Sequence, residues 1–437
     1  MNAPQFGGLG ALVRQRGYLT ALVSNTVSRF GDSVDSIAFG WMVYQLTGST
    51  LLMGTVFAVN GLPGLLFGLF AGALVDRLPK KPVVVLCHLV RAAGVGTLAA
   101  LHAGGILETW MVLALTFLNS TAEAFTHPAN AGLSQRIVPK DSYLEATSLT
   151  QSASSIAELA GLGCAGWVLA TVGTSGVLAL DAFTFLFAAV GISSNPLPPV
   201  EAPVPEASPG TAADRVRPEG RGILEDIRTG LGFLRRDRLV RLTLVLAVFA
   251  NFAIVPFQTL QPAYVKDVLG VGPEGMSAIG IGITLGMAAG GLGLAKYGKG
   301  IHRLRLILAG FLGAGTLYAS FALPGILPAG FERLAFAAAA SFPLGAFIAL
   351  INATAGAYLM ERTPPELMGR TIATVNVAAT SAMPLGAALS GLAAEAVLST
   401  TIFGILGAAM AAVTFLTLFR SSVRAEPAGP PGVPEAA

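Results

Sequence analysis

The sequence of 437 residues predicts an all-α membrane protein with twelve transmembrane helices in two six-helix halves. Three observations predict it. Hydrophobic residues make up 53% of the chain and charged residues only 12%, against about 25% charged in soluble domains, and the mean hydropathy is +0.69. Apolar stretches of about 20 residues, the length that crosses ~30 Å of hydrocarbon, recur along the whole chain. A polar linker divides these stretches six and six.

The first six spans cover residues 19–45, 51–75, 82–104, 110–137, 144–172 and 176–195, so that 1–195 forms an N-terminal bundle. Residues 196–238 read as a cytoplasmic linker. Its first part, 196–221, is rich in Pro, Ala and charge, a composition that cannot bury enough apolar surface to fold. From 223 to 241, Ile223, Ile227, Leu231 and Leu234 alternate with charged residues, the pattern of an amphipathic helix lying on a membrane surface. The second six spans cover 239–264, 276–297, 304–323, 331–360, 371–397 and 400–419, giving a C-terminal bundle over 239–424 and a disordered cytoplasmic tail over 425–437. The halves echo one another: a shift of 225 residues places Pro139 on Pro364, Gly161 on Gly386 and Gly166 on Gly391. A parallel repeat of two halves is a transporter architecture with its substrate near the membrane midplane.

Basic residues set the orientation. With both termini and every second loop in the cytoplasm, 23 of the 27 Lys and Arg residues fall on that side, the positive-inside bias. The opposite face keeps Lys266 and Arg333, while Arg29 and Arg91 lie within spans. The formal charge of +3 is therefore a topology signal and implies no nucleic-acid partner. The first apolar run has full membrane length and no small-residue cleavage site, so no cleavable signal peptide is expected. Cys87 and Cys164 both fall in spans, which argues against a disulfide framework. No nucleophile and base pair, zinc motif or nucleotide loop points to an enzyme, a metal centre or a cofactor. Gly293-x4-Gly298-Lys299 nearly matches a phosphate-binding loop, but Gly300 stands where a Ser or Thr is needed and a membrane helix precedes it.

Polar residues inside the spans carry the chemistry. In the first span Asn25, Ser28, Arg29, Asp32, Asp35 and Ser36 share one face at 100° per residue. In the fourth, Thr116, Asn119, Glu123, Thr126, His127 and Asn130 form a stripe, and in the fifth Gln151, Ser155 and Glu158 do so. Charge in hydrocarbon costs at least about 2.5 to 3.5 kcal/mol, so these faces should line a water-filled cavity or meet each other. The spacing lets Arg29 pair with Asp32. Asp32, Asp35, Glu123 and Glu158, with Arg29 as modulator, are the candidate proton-coupling groups; a permanent ion pair with Glu123 hydrogen-bonded across helices is the structural alternative. Arg91 and Asp181 read as structural. The second half offers neutral groups, among them Asn251, Gln258, Asn352 and Asn376, which with Asn25, Ser36, Asn119, His127 and Gln151 form the candidate substrate cavity. Trp41, Tyr44, Phe257 and Met383 are candidate apolar contacts. Glycines at four-residue spacing, Gly64, Gly68 and Gly72 and again Gly282, Gly286 and Gly290, offer flat faces for close helix packing.

The run Gly72-Ala-Leu-Val-Asp76-Arg77-Leu-Pro-Lys80-Lys81 resembles the loop between helices 2 and 3 of the major facilitator superfamily. That resemblance implies a gate in which Gly72 lets its helix approach the other half, Asp76 faces a positive helix N-terminus, and Arg77, Lys80 and Lys81 complete the loop. Arg29-Phe-Gly-Asp32, Trp41-Met-Val-Tyr-Gln-Leu-Thr-Gly-Ser, His127-Pro-Ala-Asn-Ala-Gly, Val138-Pro and Leu180-Asp-Ala-Phe-Thr-Phe-Leu are similar to the drug:proton antiporter-3 branch, which includes macrolide efflux proteins and the enterobactin exporter. The branch implies the major facilitator fold, alternating access, and export of a drug-like or siderophore-like amphiphile in exchange for protons by a monomer in the plasma membrane. Its partners would be the small-molecule substrate, protons and membrane lipids. Two features depart from the antiporter pattern: the fourth span has no arginine in its interior, and Gly161-Leu-Gly-Cys-Ala-Gly166 replaces a Gly-Pro pair. Arg29-Phe-Gly-Asp32 also resembles the first helix of ferroportins, which makes divalent-metal export an alternative, with lipid or lysolipid transport a further one.

Overall fold

The computed structural model of the chain describes residues 12, 14–139, 142–195, 238–298, 301–328, 330–362 and 368–418. All regular structure among these is helical: α1 (Arg16–Thr47), α2 (Thr50–Asp76), α3 (Lys80–Ala103), α4 (Thr109–Ile137), α5 (Tyr143–Ser194), α6 (Arg238–Ala263), α7 (Glu274–Tyr297), α8 (Arg303–Ser320), α9 (Phe331–Arg362), α10 (Met368–Ala396) and α11 (Ser399–Leu418). Spans five and six of the sequence reading form one element, α5, bent at Gly173, whose φ of 72° and ψ of 174° suit a residue without a Cβ. α6 runs on into a π-helical turn, Tyr264–Leu269, closed by Gly270 at φ 69°. The linker up to residue 237, most of the amphipathic segment and the tail lie outside the described residues.

Seven helical stretches among the described residues are long and apolar enough to cross a bilayer on length and hydropathy alone. α1 and α4, which carry charged residues in mid-span, are not among them.

The chain forms two compact units. Unit 1 comprises Met1–Pro205 and Gln261–Ala278. In it α1 lies along α5, α3 packs on α4 and α5, and α2 packs on α4. Its interior has an apolar cluster at each end. One gathers Met42, Met53, Val95, Leu98, Val112, Leu178 and Phe185; the other gathers Tyr18, Val75, Val84, Leu133, Ile137 and Ile192. The ionisable residues lie between them.

Unit 2 comprises Glu206–Leu260 and Ile279–Ala437, with α8 packed against α9 and α11. Gly282, Gly286 and Gly290 of α7 bring it onto the backbone of α9: a Cβ at Gly286 would overlap the Phe342 carbonyl, and one at Gly290 would stand 2.7 Å from Ala346 Cα. The first-half glycines behave differently, because a Cβ at Gly64, Gly68 or Gly72 meets nothing within 4 Å.

Candidate functional site

Arg91 is the hub of the polar core of unit 1. It projects from α3 with its Nη2 donating to Asp32 Oδ1 of α1 at 2.7 Å and 4.0 Å from Glu123 Oε2 of α4. Its guanidinium lies over the Phe185 ring of α5, 4.1 Å from the centroid, a stacking contact that arginine favours. The Arg91 and Asp32 side chains are only 12% and 21% exposed. This corrects the pairing read from the first span. Arg29 and Asp32 do not make an ion pair; Arg29 turns to Glu158 of α5 at 3.7 Å, with both side chains over two-fifths exposed. An arginine on a neighbouring helix reaches Asp32 with better geometry than one three residues away on the same helix.

Asp181 of α5 joins this cluster and is buried at 1% exposure. Thr184 Oγ1 contacts Asp181 Oδ1 at 3.1 Å, and Gly31 of α1 packs directly on this turn. The sequence reading assigned Arg91 and Asp181 structural roles; the fold brings both to the centre of the acidic site. The available signal was their position, since an arginine and an aspartate inside apolar spans are costly without a function.

Two adjoining cavities open on the cluster. The larger, about 200 Å³, is lined by Arg29, Asp32, Asp35, Ser36, Phe39, Phe57, Asn60, Arg91 and Glu123. The smaller, about 70 Å³, is lined by Asp35, Asn60, Arg91, Thr116, Asn119, Ser120, Glu123 and Asp181 with apolar walls from Phe39, Val95 and Leu98. One guanidinium thus stands among four carboxyl groups: Asp32, Asp35, Glu123 and Asp181. Asp35 Oδ1 and Asn119 Oδ1 are buried without a hydrogen-bond partner. His127 Nε2 is 3.9 Å from Glu123 Oε1, and its ring is 75% exposed.

The remaining predicted residues are dispersed. Asn25 is half-buried and Gln151 exposed in unit 1; in unit 2 Asn251 is half-buried, while Gln258 and Asn352 are exposed. The side chains of Asn376 and Asp76 lie outside the described residues. Phe257 lines neither of these two cavities. It is 4% exposed in an aromatic cluster of unit 2, with ring centroids 5.0 Å from Phe321, 5.4 Å from Phe403 and 5.8 Å from Tyr318, and edge-to-face packing accounts for it. Trp41 is likewise buried, at 6%. Tyr44 donates its hydroxyl to Asp267, and Lys266 Nζ lies 5.3 Å from the Tyr44 ring centroid.

In the loop after α2, Arg77 is exposed and closes the helix through its own N–H. Both lysines serve unit 1 internally. Lys80 is buried and donates to the Val75 carbonyl with its stem against Gly132, and Lys81 Nζ donates to Asn195 O at 2.8 Å. Cations on the last carbonyls of α2 and α5 complement the negative ends of those helices.

The helices, their mid-membrane charges and the cavities beside them define a polytopic membrane transporter. The chain belongs to the Major Facilitator Superfamily, whose family model matches residues 21–335. Among curated proteins it is similar to Macrolide efflux protein A of Streptococcus pyogenes, 24% identical over 379 residues, covering 86% of this chain and 89% of that protein. It is also similar to the Multidrug efflux pump Tap of Mycolicibacterium fortuitum, 26% identical over 374 residues, covering 84% and 86%. Solved structures share the fold at low identity. The nucleoside transporter NupG matches with a TM-score of 0.69 and 12% identity over 92% of this chain and 98% of its own. A bacterial homologue of the iron transporter ferroportin in an inward-facing state matches with a TM-score of 0.67 and 13% identity over 92% and 96%.

Proposed function

We propose that the protein exports an amphiphilic small molecule, drug-like or siderophore-like, across the plasma membrane by alternating access in exchange for protons. The observation that carries this reading is the imbalance of the unit 1 cluster. Arg91 and Arg29 match at most two charges among Asp32, Asp35, Glu123, Asp181 and Glu158, so the others must take a proton, a water or a ligand group. Asp32 and Glu123 both contact Arg91 and both line the larger cavity, at 2.7 Å and 4.0 Å from it. A proton arriving at Asp32 releases Arg91 towards Glu123, and one leaving Asp32 draws it back. Substrate entering the same cavity acts on this exchange, because it replaces water around the same groups. His127 stands exposed beside Glu123, 3.9 Å from its carboxyl group. The macrolide and multidrug efflux proteins among its relatives favour an organic substrate over a divalent metal.

Both termini are taken as cytoplasmic from the distribution of basic residues, with the protein acting as a monomer. Asp76 and Arg77 at the end of α2 form the gate on that side, while Lys80 and Lys81 hold the loop to its own unit.

The test is uptake into proteoliposomes under an imposed pH gradient, with a panel of macrolides, a catecholate siderophore, a lysolipid and a divalent metal. Wild type is expected to concentrate a macrolide or the siderophore only with the gradient, and Asp32→Asn to lose that dependence. Transport of the metal alone, or gradient-driven transport retained by Asp32→Asn, Asp35→Asn and Glu123→Gln alike, overturns the reading. Asp76→Asn is expected to slow turnover at normal protein abundance.

A further inference from the structure

Asp181 has no part in the exchange between Asp32 and Glu123, yet among the described residues it is the acidic side chain buried outright, at 1% exposure. Its local geometry fits a protonated carboxyl group. Thr184 Oγ1 lies 2.8 Å from the Asp181 backbone carbonyl and 3.1 Å from Asp181 Oδ1. A hydroxyl has one hydrogen and can satisfy only one of these acceptors. If that hydrogen goes to the nearer carbonyl, a proton on Oδ1 completes the second contact by donating to Thr184 Oγ1. Gly31 holds this arrangement against α1, because a Cβ there would stand 2.9 Å from Thr184 Cγ2 and overlap the Asp181 carboxyl.

The second observation lies across the small cavity. Asp35 and Asp181 both line this space of about 70 Å³, and Asp35 Oδ1 is buried with no partner. A polar cavity of that size has room for a bridging water. Arg91 faces this space too, with Nη2 on Asp32 at 2.7 Å, the guanidinium over the Phe185 face and Nε buried without a partner.

We infer that Asp35 and Asp181 form a second proton-binding site, separate from the Arg91, Asp32 and Glu123 exchange, in which one proton moves between the two carboxyl groups across the small cavity. The transfer is balanced: the O–H bond on Asp181 Oδ1 breaks as one forms on Asp35 Oδ1, directly or through one water, and the charge passes the other way. Asp35 also lines the larger cavity, so it connects the buried partner to the substrate space. The charged groups facing this pair across the two cavities are Arg29 and Asp32 on α1, Arg91 on α3 and Glu123 on α4. This inference rests on the proton-coupled reading and adds a second proton per substrate to it.

Two measurements on purified protein decide it: the proton-to-substrate ratio in proteoliposomes, and the infrared carbonyl band of protonated carboxyl groups followed through a pH titration. Wild type is expected to move about two protons per substrate and to show a buried carboxyl band. Asp181→Asn, which leaves an acceptor for Thr184, is expected to lose that band and to lower the ratio by about one. Asp35→Asn, which leaves Asp181 protonated but without a carboxylate to receive its proton, is expected to keep the band and still to lower the ratio by about one, and it carries the test if Asp181→Asn does not fold. An unchanged ratio with an unchanged infrared titration in either folded variant makes Asp181 structural and overturns the proposal. If wild type moves no protons with its substrate, the coupling reading fails; the band lost in Asp181→Asn would then still establish the site as a proton holder.

Discussion

Replacing Arg91 by methionine tests the centre of the site, because the side chain keeps most of its length and loses only its charge and planar head. Arg91 Nη2 and Asp32 Oδ1 are 2.7 Å apart, with 12% and 21% of the side chains exposed. Removing one partner of a buried pair costs about 3 to 5 kcal/mol, since the other charge is left uncompensated. Loss of the stack on Phe185 at 4.1 Å adds about 0.5 to 2 kcal/mol. Asp32→Asn costs less, because Arg91 still has Glu123 at 4.0 Å. The double variant leaves neither charge stranded, so its cost falls below the sum of the singles by about 2 kcal/mol or more. The exposed pair Arg29 and Glu158, 43% and 47% exposed, sets the comparison at about 0 to 1 kcal/mol. Equilibrium unfolding in mixed micelles, followed by thiol labelling at Cys87, which is buried in the fold, measures both cycles. A coupling for Arg91 and Asp32 below about 0.5 kcal/mol, no larger than for Arg29 and Glu158, would refute a buried hub.

Two further outcomes separate packing from polar contacts. Gly286→Leu is expected to destabilise unit 2 by at least about 1 to 3 kcal/mol, because its Cβ overlaps the Phe342 carbonyl, whereas Gly64→Leu, with nothing within 4 Å, should leave unfolding unchanged; the same micelle titration reads both. Tyr44→Phe removes the hydroxyl that Asp267 accepts and should lower stability by about 1 kcal/mol, with Asp267→Asn changing less if the amide oxygen still accepts, a comparison made by thermal unfolding of the two variants side by side.

Hydropathy and helical period were enough to find the helices, because a span is a local property: about 20 apolar residues suffice whatever surrounds them. The polar faces of the first and fourth spans were legible for the same reason, since Asp32, Asp35, Asn119 and Glu123 follow one helical stripe each and line the cavities of unit 1. The Gly282, Gly286 and Gly290 face announced a close helix contact, and α7 meets α9 there. Partner choice was not legible. Arg91 is 59 residues from Asp32 along the chain, and only the packing of α3 on α5, with α1 lying along α5, selects it over Arg29. Asp181 gains its meaning from Gly31 and Asp35, residues of another helix, so an isolated aspartate in an apolar arm read as structural. Phe257 and Trp41 read as ligand contacts because sequence gives aromaticity without burial; only the tertiary structure shows both packed in the interior. Lys80 and Lys81 read as members of a gating loop; only the tertiary structure shows the carbonyl ends of α2 and α5 within their reach. The sequence determined which faces are polar, because that depends on period alone; the tertiary structure decided which charges meet, because that depends on helices brought together from distant parts of the chain.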